Sequence, residues 1–175
     1  MMNNSDKITY RKINVNDAEK LITYFNQLVK EDKNRVERPE DAKSITLEQE
    51  IKWIKHRINK VKEQEMAVFC CEYNNTIVSV GEVEKKSRWI ERHVGEIRFA
   101  FLPGYTFTAK ELLKILINSA KEINLEILVY FHLSTQKKGI QLVEEFNFNH
   151  VGTINNFYKK KNKEYINREY FFKQL

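Results

Sequence analysis

Val94-Gly95-Glu96-Ile97-Arg98-Phe99-Ala100-Phe101, then Leu102-Pro103-Gly104-Tyr105, then a helical pattern opening at Thr108-Ala109-Lys110-Glu111, is the stretch on which the fold turns. Ile97, Phe99 and Phe101 alternate with Glu96, Arg98 and Ala100, the period of a strand. Pro103-Gly104 breaks that strand. Thr108 and Glu111 stand three apart, as a capping box requires, and Leu112, Leu113, Leu116, Ile117 and Ala120 share one face of a helix to about Ile123. Leu125 to Leu133 is then a nearly continuous apolar run, the mark of a strand buried on both faces. Strand, helix and buried strand in this order form a crossover that joins parallel neighbours in one sheet.

Outward from this unit the chain adds hairpins and amphipathic helices. Lys7 to Ile13 alternates as a strand, and Asn16-Asp17-Ala18-Glu19 offers a capping box before a helix with Leu21, Ile22, Phe25, Leu28 and Val29 on one face. Glu31 to Ser44, with Pro39, reads as a mobile polar loop; Thr46-Leu47-Glu48-Gln49 opens a second helix. Met66 to Tyr73 and Thr76 to Glu84 are strands joined by Asn74-Asn75, a pair that tolerates a left-handed turn. After the central crossover, Gln136 to Phe146 is a short helix, and Val151 to Tyr158 with Tyr165 to Phe172 close the chain as a hairpin. The expectation is an α/β fold: one domain over residues 7–175 after a short disordered lead at residues 1–6. Its mixed, mostly antiparallel twisted sheet has about seven strands flanked by about four helices.

Composition narrows the function classes. In 175 residues, 42% hydrophobic and 31% charged, no apolar run approaches the roughly 20 residues of a membrane span. A net charge of +6 favours anionic partners, whether nucleic acid, acidic surfaces or phosphorylated cofactors. Lysines interleave with aromatics in Phe157-Tyr158-Lys159-Lys160-Lys161 and Tyr170-Phe171-Phe172-Lys173, but strand aromatics packing a hairpin explain these better than a nucleic-acid stacking platform. Cys70 and Cys71 are adjacent, and a bridge between them would be strained. With four scattered histidines they form no metal-ligand spacing, so no metal is expected, and reduced thiols with a leader lacking an apolar core point to the cytoplasm. Only five glycines are present, so any phosphate-cradling loop has few sources of positive φ.

The element order, together with His93 to Phe101, Leu112-Leu113 with Ala120-Lys121, Lys137-Lys138-Gly139-Ile140-Gln141-Leu142 with Phe148 and Gly152, and Tyr165-Ile166, resembles the GNAT superfamily of N-acetyltransferases from Ile8 to Leu175. The resemblance implies acetyl-CoA as co-substrate and a primary amine, on a small molecule or a protein, as acceptor. It places the acyl-CoA arm beside Phe99, Ala100 and Phe101, and the pyrophosphate at Thr106, Thr108, Ala109 and Lys110. It also makes Glu96 the expected catalytic base, with Glu82 second, and backbone near Phe99 to Phe101 the oxyanion donor.

Two features depart from the family pattern. The family loop after this strand uses glycines so that successive amides turn toward the pyrophosphate. Tyr105 to Glu111 contains none, which at two or three lost bonds costs about 3–9 kcal/mol of affinity and leaves the helix N-terminus and Lys110 as a weakened anion site. Val143 stands where the family's thiolate-protonating Tyr would, and Asn147 where a Gly would; Tyr130 and His132 are possible substitutes. The competing expectation is a degenerate member of the same fold that binds a peptide, an anionic ligand or nucleic acid without acyl transfer. Neither the acceptor's identity nor the oligomeric state is legible.

Overall fold

The computed structural model describes residues 7–175; the lead expected at residues 1–6 lies outside the described residues. The strands are β1 (Ile8–Lys12), β2 (Met66–Tyr73), β3 (Thr76–Lys85), β4 (Val94–Phe101), β5 (Ile127–Leu133), β6 (Asn149–Lys159) and β7 (Tyr165–Gln174). They form one sheet in the order β1-β2-β3-β4-β5-β7-β6. Every neighbouring pair is antiparallel except β4 and β5, which the crossover helix makes parallel. The helices are α1 (Ala18–Glu31), α2 (Pro39–Lys43), α3 (Leu47–Lys62), α4 (Thr106–Glu122) and α5 (Lys137–Glu145). The extra helix, α2, lies in the segment expected as a mobile loop. Pro39 at its first position loses no hydrogen bond, and Asp41 closes on Arg38.

The sheet buries apolar side chains on both faces. On one, Leu112, Leu113, Leu116 and Ala120 of α4 pack on Val83, Ile97 and Leu128; on the other, Leu21 and Leu28 of α1 and Ile54 of α3 pack on Met66, Val68 and Val78. Cys70 and Cys71 are buried free thiols. Among the described residues no helix is long and apolar enough to cross a membrane, and no cluster of three or more His, Cys, Asp or Glu is placed to hold a metal ion.

Two expected helix starts move. Before α1 the reciprocal cap is Asn14 with Asp17, whose buried carboxylate also takes two bonds from Arg11 at 2.7 Å. Helix α4 begins at Thr106, two residues before the expected capping Thr108, because Leu102-Pro103-Gly104-Tyr105 is a complete turn. Tyr105 N–H donates to Leu102 O at 3.0 Å, and Gly104 takes φ +91°, a conformation few other residues adopt. Thr108 therefore sits inside the first helical turn, fully buried, its hydroxyl donating to Tyr105 O at 2.8 Å with Ser79 Oγ at 3.2 Å.

The shortage of glycine is met by asparagine. Among the described residues, five of the seven non-glycine residues at positive φ are Asn74, Asn75, Asn124, Asn147 and Asn156. Asn147 takes φ +57° just past α5, where Phe148 N–H reaches back to Val143 O at 3.0 Å, so the absent glycine costs that helix end little.

Candidate functional site: a gap in the sheet between two cavities

The register of β4 and β5 stops early. Val94, Gly95 and Glu96 pair with Ile127, Leu128 and Val129, and beyond Glu96 the two strands part. The phase of β4 is fixed at both ends: Val94 O and Leu102 N–H bond toward β3, and His93 O bonds toward β5. Peptide groups alternate along a strand, so those of Phe99 and Phe101 face β5, where no ladder bond meets them. The outer half of β4 thus presents unpaired N–H and C=O groups to a gap.

A cavity of about 460 Å³ fills that gap. Its walls are Phe99, Ala100 and Phe101 of β4, Pro103 and Thr106 at the start of α4, His132 of β5, Thr135 to Gly139 at the start of α5, and Glu31 to Arg35 after α1. Neither helix start has a side-chain cap, so both turn positive dipole ends to the cavity, though at α5 the N–H groups of Lys137 and Gly139 are taken by Thr135 O and Gln136 O. Lys33, Arg35, Lys137 and Lys138 add four cations against Glu31 and Asp32. The Thr135 hydroxyl is buried here without a partner.

One wall is a linked polar unit. The Tyr130 hydroxyl lies against His132 Nε2, and His132 Nδ1 lies 2.7 Å from Gln136 Oε1, which also accepts the Leu133 N–H. An amide oxygen only accepts, so Nδ1 holds the ring proton and Nε2 receives the phenol's. Burial lowers the His132 pKa to about 4 and raises that of Tyr130, which keeps both neutral. Gly139 allows this packing: a Cβ there would stand 2.3 Å from His132 Nε2.

A second cavity, of about 330 Å³, opens on the other side of β4. Leu21, Tyr24, Phe25 and Leu28 of α1, Ile45, and Trp53 of α3 give it an apolar lining; its charged residues are Arg35, Glu37, Glu50, Glu82 and Arg98. Phe99, Ala100 and Arg35 line both cavities, so the two adjoin at the free end of β4. Tyr24 donates its hydroxyl to Ala100 O at 2.8 Å and ties α1 to that point.

The sequence-derived site divides accordingly. Phe99, Ala100, Phe101 and Thr106 stand at the gap. Thr108 and Ala109 do not: both are fully buried under α4, the Thr108 N–H is committed to Tyr105 O, and neither lines a cavity. Lys110 reaches away to Glu145 at 3.2 Å. Glu96 stands on β4. It lines neither cavity, and its carboxylate is paired with Lys86 at 2.6 Å. Glu82, the second candidate, does line the smaller cavity, held by Arg57 at 2.9 Å and Arg98 at 3.2 Å. Val143 is fully buried in the core below α5. Sequence reading missed Arg35, Glu37, Glu50, Trp53 and Thr135. The first two lie in a segment without periodicity, and Glu50 and Trp53 looked like ordinary residues of an amphipathic helix.

The fold matches those of known proteins. A family described as an acetyltransferase (GNAT) domain matches residues 9–167. A GNAT-family acetyltransferase from Streptococcus pneumoniae superimposes with a TM-score of 0.87 at 14% identity, over 97% of this chain and 100% of that one. A ribosomal-protein-alanine N-acetyltransferase from Brucella melitensis gives 0.81 at 18% identity, over 95% and 99%. An acetyltransferase from Salmonella typhimurium, solved with its cofactor acetyl-CoA, gives 0.80 at 16% identity, over 97% and 94%. No curated protein matches at the sequence level. At these identities the superpositions speak for the fold alone, while the family match spans nearly the whole chain. The protein belongs to the GNAT acetyltransferases.

Proposed function

We propose that this protein transfers the acetyl group of acetyl-CoA to a primary amine. The donor would lie in the gap between β4 and β5, and the acceptor would enter from the smaller cavity. The observation that supports this most is the adjacency of the two cavities at Phe99 and Ala100. A thioester laid along β4 would meet the free peptide groups of Phe99 and Phe101, with the acyl carbon near the acceptor cavity. There the amine nitrogen attacks, a C–N bond forms, the C–S bond breaks, and its electron pair leaves on sulfur, which takes a proton. The free amine loses one proton, matching the one the sulfur takes; an acceptor arriving as an ammonium first gives up one more proton to solvent. A backbone N–H on β4 aimed at the thioester oxygen would stabilise the tetrahedral oxyanion.

The pyrophosphate would rest between the starts of α4 and α5. The Pro103-Gly104 turn offers fewer amides than a glycine-rich loop would, and Lys33, Lys137 and Lys138 are the charges that offset this. Thr135, with its buried, partnerless hydroxyl, is suited to bond a polar atom of the donor's arm. The departing sulfur needs an acid. Val143 has no proton to give, whereas His132 lines the gap with the buried Tyr130 phenol behind it, a pair through which a proton could reach the sulfur.

Isothermal titration with acetyl-CoA, followed by thiol release across a panel of primary amines, tests this reading. Saturable one-site binding with amine-dependent CoA release is expected. Absence of binding at millimolar acetyl-CoA would overturn it.

A further inference from the structure

The charges in the acceptor cavity are unevenly matched, and this bears on what the cavity admits. Each arginine there is already engaged: Arg35 with Glu37 at 3.0 Å, and Arg98 with Glu82 at 3.2 Å and Glu84 at 2.7 Å. Arg57, behind the wall, holds Glu82 at 2.9 Å and lies over the Trp53 ring at 3.5 Å. Glu50 is the exception. It lines the cavity from the first turn of α3 and makes no side-chain hydrogen bond or ion pair among the described residues; burial raises its pKa, and the charge of Arg57, whose own hydrogen bonds go to Glu82, offsets this only in part. A desolvated carboxylate without a partner gains most from a cation brought to it. The rest of the lining, Leu21, Tyr24, Phe25, Leu28, Ile45 and Trp53, offers an apolar and aromatic surface for the body of a small ligand.

We infer that the acceptor is a monoamine with an apolar body about the size of one ring and no carboxylate, its ammonium received by the carboxylate of Glu50. An amino acid would bring an anion to a cavity whose cations are all committed, so it would have to break an existing ion pair or lie unpaired. A polyamine would leave its further ammonium groups against the apolar wall. The inference rests on the acyl-transfer reading for its consequence in catalysis, but the binding it describes does not require acetyl transfer.

The test uses 2-phenylethylamine and L-phenylalanine, which differ by one carboxylate. Their binding to the free protein is measured by calorimetry, and turnover with acetyl-CoA by thiol release. 2-Phenylethylamine should bind at least about tenfold more tightly than L-phenylalanine, and Glu50→Gln should weaken it by about tenfold or more while leaving the Kd for acetyl-CoA unchanged. Glu37→Gln, which frees Arg35, should improve L-phenylalanine binding. Equal or tighter binding of L-phenylalanine to the unaltered protein, or unchanged 2-phenylethylamine binding in Glu50→Gln, would overturn the inference. Amine binding that follows this pattern without any CoA release would instead leave the inference standing and count against acyl transfer.

Discussion

Replacing Gly139 by Ala sets two effects of opposite sign against each other, and the geometry decides between them. Gly139 is in the first turn of α5, where Ala is the better helix former by about 0.5–1 kcal/mol. The new methyl, however, would lie 2.3 Å from His132 Nε2 and 2.5 Å from Cε1. A free side-chain end could swing aside at little cost. The imidazole is held on both sides, by Gln136 at Nδ1 and Tyr130 at Nε2, and it sits edge-on to Tyr130 with ring centroids 4.4 Å apart. Overpacking of this kind costs about 1–3 kcal/mol. The expected net is a loss of up to about 2.5 kcal/mol, or up to about 10 °C in Tm for a chain of this length. Urea unfolding at pH 7.5 gives the free energy, and a double-mutant cycle with His132→Ala assigns it. With the ring removed, Gly139→Ala should become neutral or stabilising. A Gly139→Ala protein more stable than the parent, or a loss that persists without the His132 ring, would refute the claim that Gly139 is there to admit His132.

The same histidine predicts a pH dependence. Its folded-state pKa, near 4, lies below the ordinary 6.5, so between these values the unfolded chain binds a proton that the folded one refuses. Stability should be complete above pH 6.5 and fall by up to about 3 kcal/mol as pH drops toward 4. Urea midpoints at pH 7.5 and 5.0 should differ more for the parent than for His132→Gln, and equal differences would count against a buried neutral ring. Thr135→Val should leave stability unchanged or slightly improved, because it removes a buried hydroxyl without a partner, yet weaken acetyl-CoA several-fold by calorimetry. Replacing Lys137 and Lys138 together by Ser should cost about 1–3 kcal/mol of acetyl-CoA binding and flatten its salt dependence; an unchanged Kd would remove the pyrophosphate from the start of α5.

The strand, helix and strand around Pro103-Gly104 were legible because each carries a strong periodic signal and a clear break. Where the structure places residues differently from their sequence pattern, the causes are physical. Thr108 and Glu111 stand at capping-box spacing, but the turn closed by Gly104 starts the helix earlier and buries Thr108. Glu96 lies on the expected strand, yet Lys86, just past β3, pairs with its carboxylate. Sequence periodicity locates a residue on a face and is silent about which cation arrives from elsewhere. The smaller cavity draws on α1, the α1–α2 connection, α3 and two strands. Its character, one unpaired carboxylate among committed ion pairs, arises only when residues far apart in the chain meet.

The central claim is that the unpaired peptide groups on the outer half of β4 receive the acyl-CoA arm. Hydrogen exchange of individual amides, followed by NMR with and without acetyl-CoA, addresses it at the atoms concerned. The account predicts that the N–H groups of Phe99 and Phe101 exchange readily in the free protein and become protected when acetyl-CoA is bound. Saturation with acetyl-CoA that leaves both amides exchanging as before would contradict it.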